Sequence, residues 1–93
     1  ISDERKKENI RPMSYGLDAV AALNPVQFNY KQGDEEQYGF LAQEVQSIVP
    51  ELVSVSDMGP IEDMLTFKES SLVPVLVKAI QELTARVEEL ENA

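Results

Sequence analysis

The spacing of apolar residues changes period several times along the chain. Within residues 14–23, Leu17, Val20, Ala21 and Leu23 recur at helical intervals. Asn24-Pro25 ends this predicted helix, because a residue before proline avoids the α region. Over residues 26–31 the period drops to two. Val26, Phe28 and Tyr30 alternate with Gln27, Asn29 and Lys31, as in a half-buried strand. A charged turn over 32–37 leads into residues 38–42, which read as the returning strand of a hairpin. Helical spacing resumes over 43–53, with Val45, Ile48, Val49 and Leu52 on one face and Pro50 ending or kinking the helix. Residues 53–68 read as a second β element. Val53 and Val55 alternate there, Met58-Gly59-Pro60 makes a turn, and residues 64–67 form a short strand.

The last segment is the most regular. Ser70 or Ser71 is placed to N-cap a helix, and Pro74 falls in its first turn, where proline is tolerated. From there Val73, Leu76, Ile80, Leu83, Val87 and Leu90 follow one another at alternating intervals of three and four. This is an a/d heptad seam with β-branched residues at a and Leu at d, a combination that suits two or three strands. Arg86 at g and Glu91 at e of the following heptad have the geometry of an interchain ion pair in a parallel coiled coil. Val75, Val77 and Ala79 widen the apolar face near the helix start. The start is therefore expected to pack on its own domain and the end to form a seam with other copies. A single amphipathic helix packed on a monomeric domain is the alternative.

With 93 residues the chain is one domain, divided into an α+β part over 1–68 and a C-terminal helix over 69–93. A core of this size is marginal alone. The chain has no Cys and no His, so disulfides, zinc–cysteine sites and imidazole-based triads are excluded. Oligomerisation is the stabilising device that remains. The net charge is −9, but Arg5, Lys6, Lys7 and Arg11 outweigh Asp3, Glu4 and Glu8 to give residues 1–11 a net +1 and the rest −10. Nucleic acid is not an expected partner of such a field. The longest apolar stretch, residues 72–77, is too short to span a bilayer, and the charged N-terminus has no signal-peptide pattern.

Few catalytic options survive this composition. The carboxylate pairs Glu35-Glu36, Glu62-Asp63 and Glu88-Glu89 read as solvated charge, and no Gly-rich phosphate loop is present. What remains is Ser2 with Lys7. A serine hydroxyl needs a base to take its proton, and a lysine serves once burial or neighbouring cations lower its pKa. Arg5 and Lys6 act in that direction. Alternatively Ser2 is a helix N-cap, although a capping box would place Glu or Gln where Arg5 stands.

The run Ser2-Asp3-Glu4-Arg5-Lys6-Lys7-Glu8-Asn9-Ile10 resembles the opening motif of the C-terminal intramolecular chaperone domain of phage endosialidases, tailspikes and tail fibres, the S74 peptidase family. Further landmarks of that family follow in order: Gly16-Leu17-Asp18, Leu23-Asn24-Pro25-Val26, Phe28-Asn29-Tyr30-Lys31, and Tyr38-Gly39-Phe40-Leu41-Ala42-Gln43-Glu44-Val45-Gln46. Val49-Pro50-Glu51-Leu52-Val53 and the closing helix from Leu72 to Leu83 complete the series. The position before Lys7 is usually apolar in the family and here is Lys6.

The resemblance implies a small α+β domain of short β-hairpins and helices, whose long C-terminal helix forms a parallel trimeric coiled coil. It implies an intramolecular chaperone that trimerises, aids folding of the upstream fibre or spike domain of the same polypeptide, and releases itself by autoproteolysis. Carried onto this sequence, Ile1–Ser2 is the scissile bond, Ser2 the nucleophile and Lys7 the general base of an autocatalytic serine peptidase acting once, in cis. Neither a cofactor nor a metal is implied, and the partners are two further copies of the chain. The setting would be the host cytoplasm during phage assembly, and then the virion tail for the parent protein. The alternative within this frame is a non-cleaving trimerisation cap retained at the fibre tip.

Overall fold

A computed structural model describes residues 1–57 and 59–93. The sequence-predicted turn at Met58-Gly59-Pro60 therefore lies partly outside the described residues, at Met58. The elements in chain order are helix α1 (Leu17–Ala22), strands β1 (Val26–Phe28) and β2 (Gln37–Gly39), helix α2 (Ala42–Ile48), strands β3 (Val53–Ser56) and β4 (Met64–Phe67), and helix α3 (Leu72–Glu91). Single 3₁₀ turns occur at Glu4–Lys6, Pro50–Leu52 and Glu69–Ser71. The class is α+β, with two separate antiparallel hairpins and a C-terminal helix.

The first hairpin is shorter than the alternation suggested. β1 pairs with β2 through Val26↔Gly39, Gln27↔Tyr38 and Phe28↔Gln37, so the ladder stops before Tyr30. Leu41 and Ala42 leave the return strand, Leu41 to N-cap α2 and Ala42 to enter it. β3 and β4 pair from Val53↔Phe67 to Ser56↔Met64, as the alternation there predicted. The hairpins are bridged by an edge-to-face contact of Phe40 with Phe67, ring centroids 5.8 Å apart.

Pro50 does what its ring requires. It cannot continue α2, and it opens the 3₁₀ turn Pro50–Leu52 that delivers the chain to β3. α2 packs on β3 and β4, while α1 lies along α3. The buried core is small: Val45 and Val49 on the α2 side, and Leu72, Val75 and Ala79 on α3. Leu72, Val75 and Ala79 are spaced as one helical stripe, so the start of α3 packs on its own domain as expected. Val77 corrects part of that expectation. It points away from the stripe and is half exposed.

The helix start differs in chemistry from its prediction. Ser71 occupies the N-cap position of α3, but its side chain makes no capping hydrogen bond. The 3₁₀ turn before it supplies the lead-in instead, with the Leu72 amide bonding back to the Glu69 and Ser70 carbonyls. α3 is 20 residues long, about 30 Å at the usual rise. It projects beyond the body, and the radius of gyration is 16.9 Å, against roughly 12 Å for a compact domain of this length. Among the described residues, no helix is long and apolar enough to cross a membrane.

Candidate functional site

Three parts of the molecule carry the functional expectations: the N-terminal segment, the outer face of α3, and the junction that ties one to the other.

Residues 1–12 are exposed throughout. Within them, the only helical turn is Glu4–Lys6, closed by Lys6 N–H to the Asp3 carbonyl at 3.1 Å and Lys7 N–H to the Glu4 carbonyl at 3.0 Å. Its cap is Asp3, not Ser2. The Asp3 carboxylate accepts from the Arg5 amide at 2.9 Å and takes two guanidinium hydrogen bonds, Arg5 Nε at 3.0 Å and the terminal nitrogen at 2.8 Å. These side-chain hydrogen bonds hold the Asp3 carboxyl below its ordinary value of 3.8 and push the Arg5 guanidinium further up. Beyond the turn, Asn9 adopts a left-handed backbone with φ of 54°, a conformation Asn tolerates, and its carbonyl accepts from Arg11 at 2.9 Å.

Ser2 and Lys7 thus flank one stapled turn. Their side chains are exposed, and among the described residues no hydrogen bond or ion pair joins them. The turn sets their separation along the chain through bonds between residues 3 and 7, but it does not wall them off from water. A lysine becomes a base through desolvation or nearby cations. Arg5 and Lys6 are adjacent cations, but Arg5 is already committed to Asp3. Desolvation of the pair would have to come from something packed over this segment.

The outer face of α3 is the second part. Val73, Leu76, Ile80, Leu83, Val87 and Leu90 are between 42 and 77% exposed. They occupy the predicted a and d positions, on a face adjacent to the inner stripe of Leu72, Val75 and Ala79. α3 is therefore apolar on two faces, one buried against the body and one bare. A lone helix on a monomeric domain needs only the first. Removing these side chains from water is worth roughly 1–2 kcal/mol each, given their partial exposure.

The third part escaped the sequence reading. Tyr15 donates its hydroxyl hydrogen to Glu51 Oε1 at 2.9 Å, and this bond holds the phenol above its ordinary value of 10.0. Two residues on, the Leu17 amide donates to Glu82 Oε1 at 3.2 Å in a part-buried setting. Gly16, between them, is buried, and a Cβ there would overlap the Glu82 carboxylate. α1 consequently begins at Leu17 rather than at residue 14, because residues 14–16 are spent on this approach. A glycine just before a helix, with a Glu continuing the 72/75/79 stripe to 82, was the available signal. In isolation Glu82 reads as one more solvated acid.

Residues 2–54 match the family described as chaperone of endosialidase, Peptidase_S74. That match includes Ser2, Lys7, Gly16 and Glu51. Across 98% of its length the chain is 35% identical to the long tail fiber protein of Enterobacteria phage K3, and equally to that of Enterobacteria phage T2. It is 33% identical, over the same share, to a probable tail fiber protein of Escherichia phage Phieco32. The chain spans only 8%, 7% and 13% of these curated relatives.

Proposed function

Because the chain belongs to the chaperone-of-endosialidase family, we propose that it is the self-releasing C-terminal chaperone of a phage tail fibre protein. In this reading three copies associate in parallel through the outer face of α3. They hold the upstream chains in register while those fold, and each then cuts its own Ile1–Ser2 bond. The observation that carries the reading is the a/d stripe of α3, an apolar surface that its own chain leaves 42 to 77% exposed.

The physical logic supports this order of events. Elongated β-rich trimers depend on long-range pairing, fold slowly and expose edges on the way. A helical seam of local contacts assembles sooner and raises the effective concentration of the tethered chains. Cutting the clamp away afterwards leaves a product whose unfolded chains cannot reassemble, which is kinetic stability.

A cut immediately before the nucleophile constrains the chemistry. Neutral Lys7 Nζ takes the Ser2 hydroxyl proton as Ser2 Oγ attacks the Ile1 carbonyl carbon. The tetrahedral adduct collapses by breaking the Ile1–Ser2 C–N bond, and the leaving Ser2 nitrogen receives the proton from Lys7. The result is an ester between the Ile1 acyl group and Ser2 Oγ. Water then hydrolyses that ester, giving an Ile1 carboxylate and a free Ser2 residue. No cofactor is required. The work is performed in the host cytoplasm during assembly, and the parent protein ends in the virion tail.

The test is Ser2→Ala in the full-length parent chain. Release is expected to stop on a denaturing gel while assembly, read by light scattering under native conditions, continues. Normal-sized release from this variant would remove Ser2 as nucleophile. Lys7→Ala is expected to behave like Ser2→Ala, and Lys6→Ala to keep cleaving. The solvated setting of Ser2 and Lys7 favours one competing reading, a cap that stays at the fibre tip. An intact Ile1–Ser2 bond in mature particles, read by N-terminal sequencing and intact mass, would select it.

A further inference from the structure

The side-chain hydrogen bonds of residues 1–12 all stay within that segment. Its tethers to the body come later, at Tyr15 to Glu51 and at Leu17 to Glu82. The two tethers differ. Tyr15–Glu51 joins exposed side chains, whereas Glu82 reaches a backbone amide in a part-buried junction. Gly16 sits where any side chain would collide with the Glu82 carboxylate, and the Lys78 Cγ lies 3.3 Å from the same point. A cavity of about 330 Å³ opens beside this junction, rimmed by Ser14, Tyr15, Ile48 and Glu82. The segment therefore has room to swing once Glu82 lets go.

Glu82 also has a revealing neighbour. It is the polar end of the inner stripe Leu72, Val75 and Ala79, while Leu83, next in sequence, belongs to the outer seam. One turn of α3 thus faces other copies with one residue and grips the N-terminal segment with the one before it.

We propose that Glu82 is a positioning residue for self-cleavage: by clasping the Leu17 amide it fixes the direction in which the Ser2-bearing segment leaves α3. This rests on the reading that the chain cuts itself before Ser2. Packing of the seam immobilises α3, and the clasp passes that orientation to Leu17, the point from which residues 1–16 depart. Small misplacements of reacting groups cost as much as 10²-fold in rate, so a loosened clasp is felt at the scissile bond without touching it.

The experiment compares Glu82→Ala, Glu82→Gln and Gly16→Ala in the full-length parent chain. It reads three quantities: the cleavage time course, the native mass, and hydrogen exchange of the peptide containing Leu17. Glu82→Ala is expected to slow cleavage at least tenfold, leave the native mass unchanged and speed exchange at Leu17. Glu82→Gln keeps an oxygen that accepts the same amide and is expected to stay within about threefold of the parent in rate, with normal exchange. Gly16→Ala, which pushes the carboxylate aside, is expected to follow Glu82→Ala. Parent-like cleavage in Glu82→Ala overturns the proposal. So does a Glu82→Gln as slow as Glu82→Ala, which would assign the effect to charge. Loss of assembly in Glu82→Ala also overturns it, by making Glu82 a folding residue. If the unmutated chain does not cut, the self-cleavage reading fails on its own. The exchange data still decide the clasp, because unchanged protection at Leu17 in Glu82→Ala removes it.

Discussion

The two ends of the chain both stand clear of the body, for opposite reasons. Residues 1–12 are polar and exposed, and what order they have is local: one turn, stapled by Asp3 and Arg5. α3 is ordered by its own backbone ladder, yet exposes six large apolar side chains in a stripe. Water satisfies the first end and not the second. The N-terminal end lacks a chemical environment, and the C-terminal end lacks a surface to cover it. In the proposed assembly a single event, the gathering of copies along α3, would supply a cover for the second and bring protein mass near the first.

The largest way to break this contrast is to charge the seam. Ile80→Asp is expected to abolish self-association, because every copy would bring an unpaired carboxylate into the same apolar layer, at a cost of several kcal/mol per chain. Sedimentation would show the loss of mass. Release should fall with it if the Ser2 segment depends on its neighbours, and unaltered release from dissociated chains would separate the two ends after all. Leu72→Ala acts on the inner face and is expected to cost about 3 kcal/mol through the cavity it leaves. Thermal unfolding would register this as a lower transition for the body, whereas a purely seam-directed role for α3 predicts no such change.

The smallest effect sharpens the N-terminal side of the comparison. The Asp3 carboxyl is held below 3.8 in the folded chain, so its hydrogen bonds to Arg5 persist above that pH and are lost as pH falls through the lowered value. The Arg5 amide and side-chain NMR signals are expected to titrate below pH 3.8. In Asp3→Asn that step should vanish while the turn keeps a capping acceptor. Global melting should not move in either case, because the Asp3 and Arg5 side chains are exposed and, among the described residues, bond only to each other. A melting shift in Asp3→Asn would mean that the segment is packed on something.

The regular elements were legible because their signals are local. The 3,4 spacing from Val73 to Leu90 specifies a helix whatever surrounds it, and Pro50 can break a helix without help from the rest of the chain. Val53, Val55 and residues 64–67 likewise paired as their alternation indicated. The misjudged boundaries have one distant cause and one local cause. α1 starts late because Gly16 and Leu17 answer to Glu82, sixty-five positions after Leu17. β2 ends early because Leu41 and Ala42 are taken by α2. The alternative of Ser2 as a helix cap gives way to Asp3, which has a carboxylate and an Arg two residues on. The pairing of Ser2 with Lys7 was weak as bare chemistry and became specific only through the run of motifs around it. Glu82 left almost no trace, since a glutamate between seam positions on a helix is ordinarily solvated.

Past Glu82, residues 83–91 of α3 bury nothing within their own chain. A few turns held only by backbone hydrogen bonds are marginal in water. Their persistence is then a matter of company. If copies gather along the seam as proposed, the tip would fray in a solitary chain and set among its siblings. In that assembly the far end of the helix would take a roll-call, registering in its own rigidity whether every chain needed for the fibre has arrived.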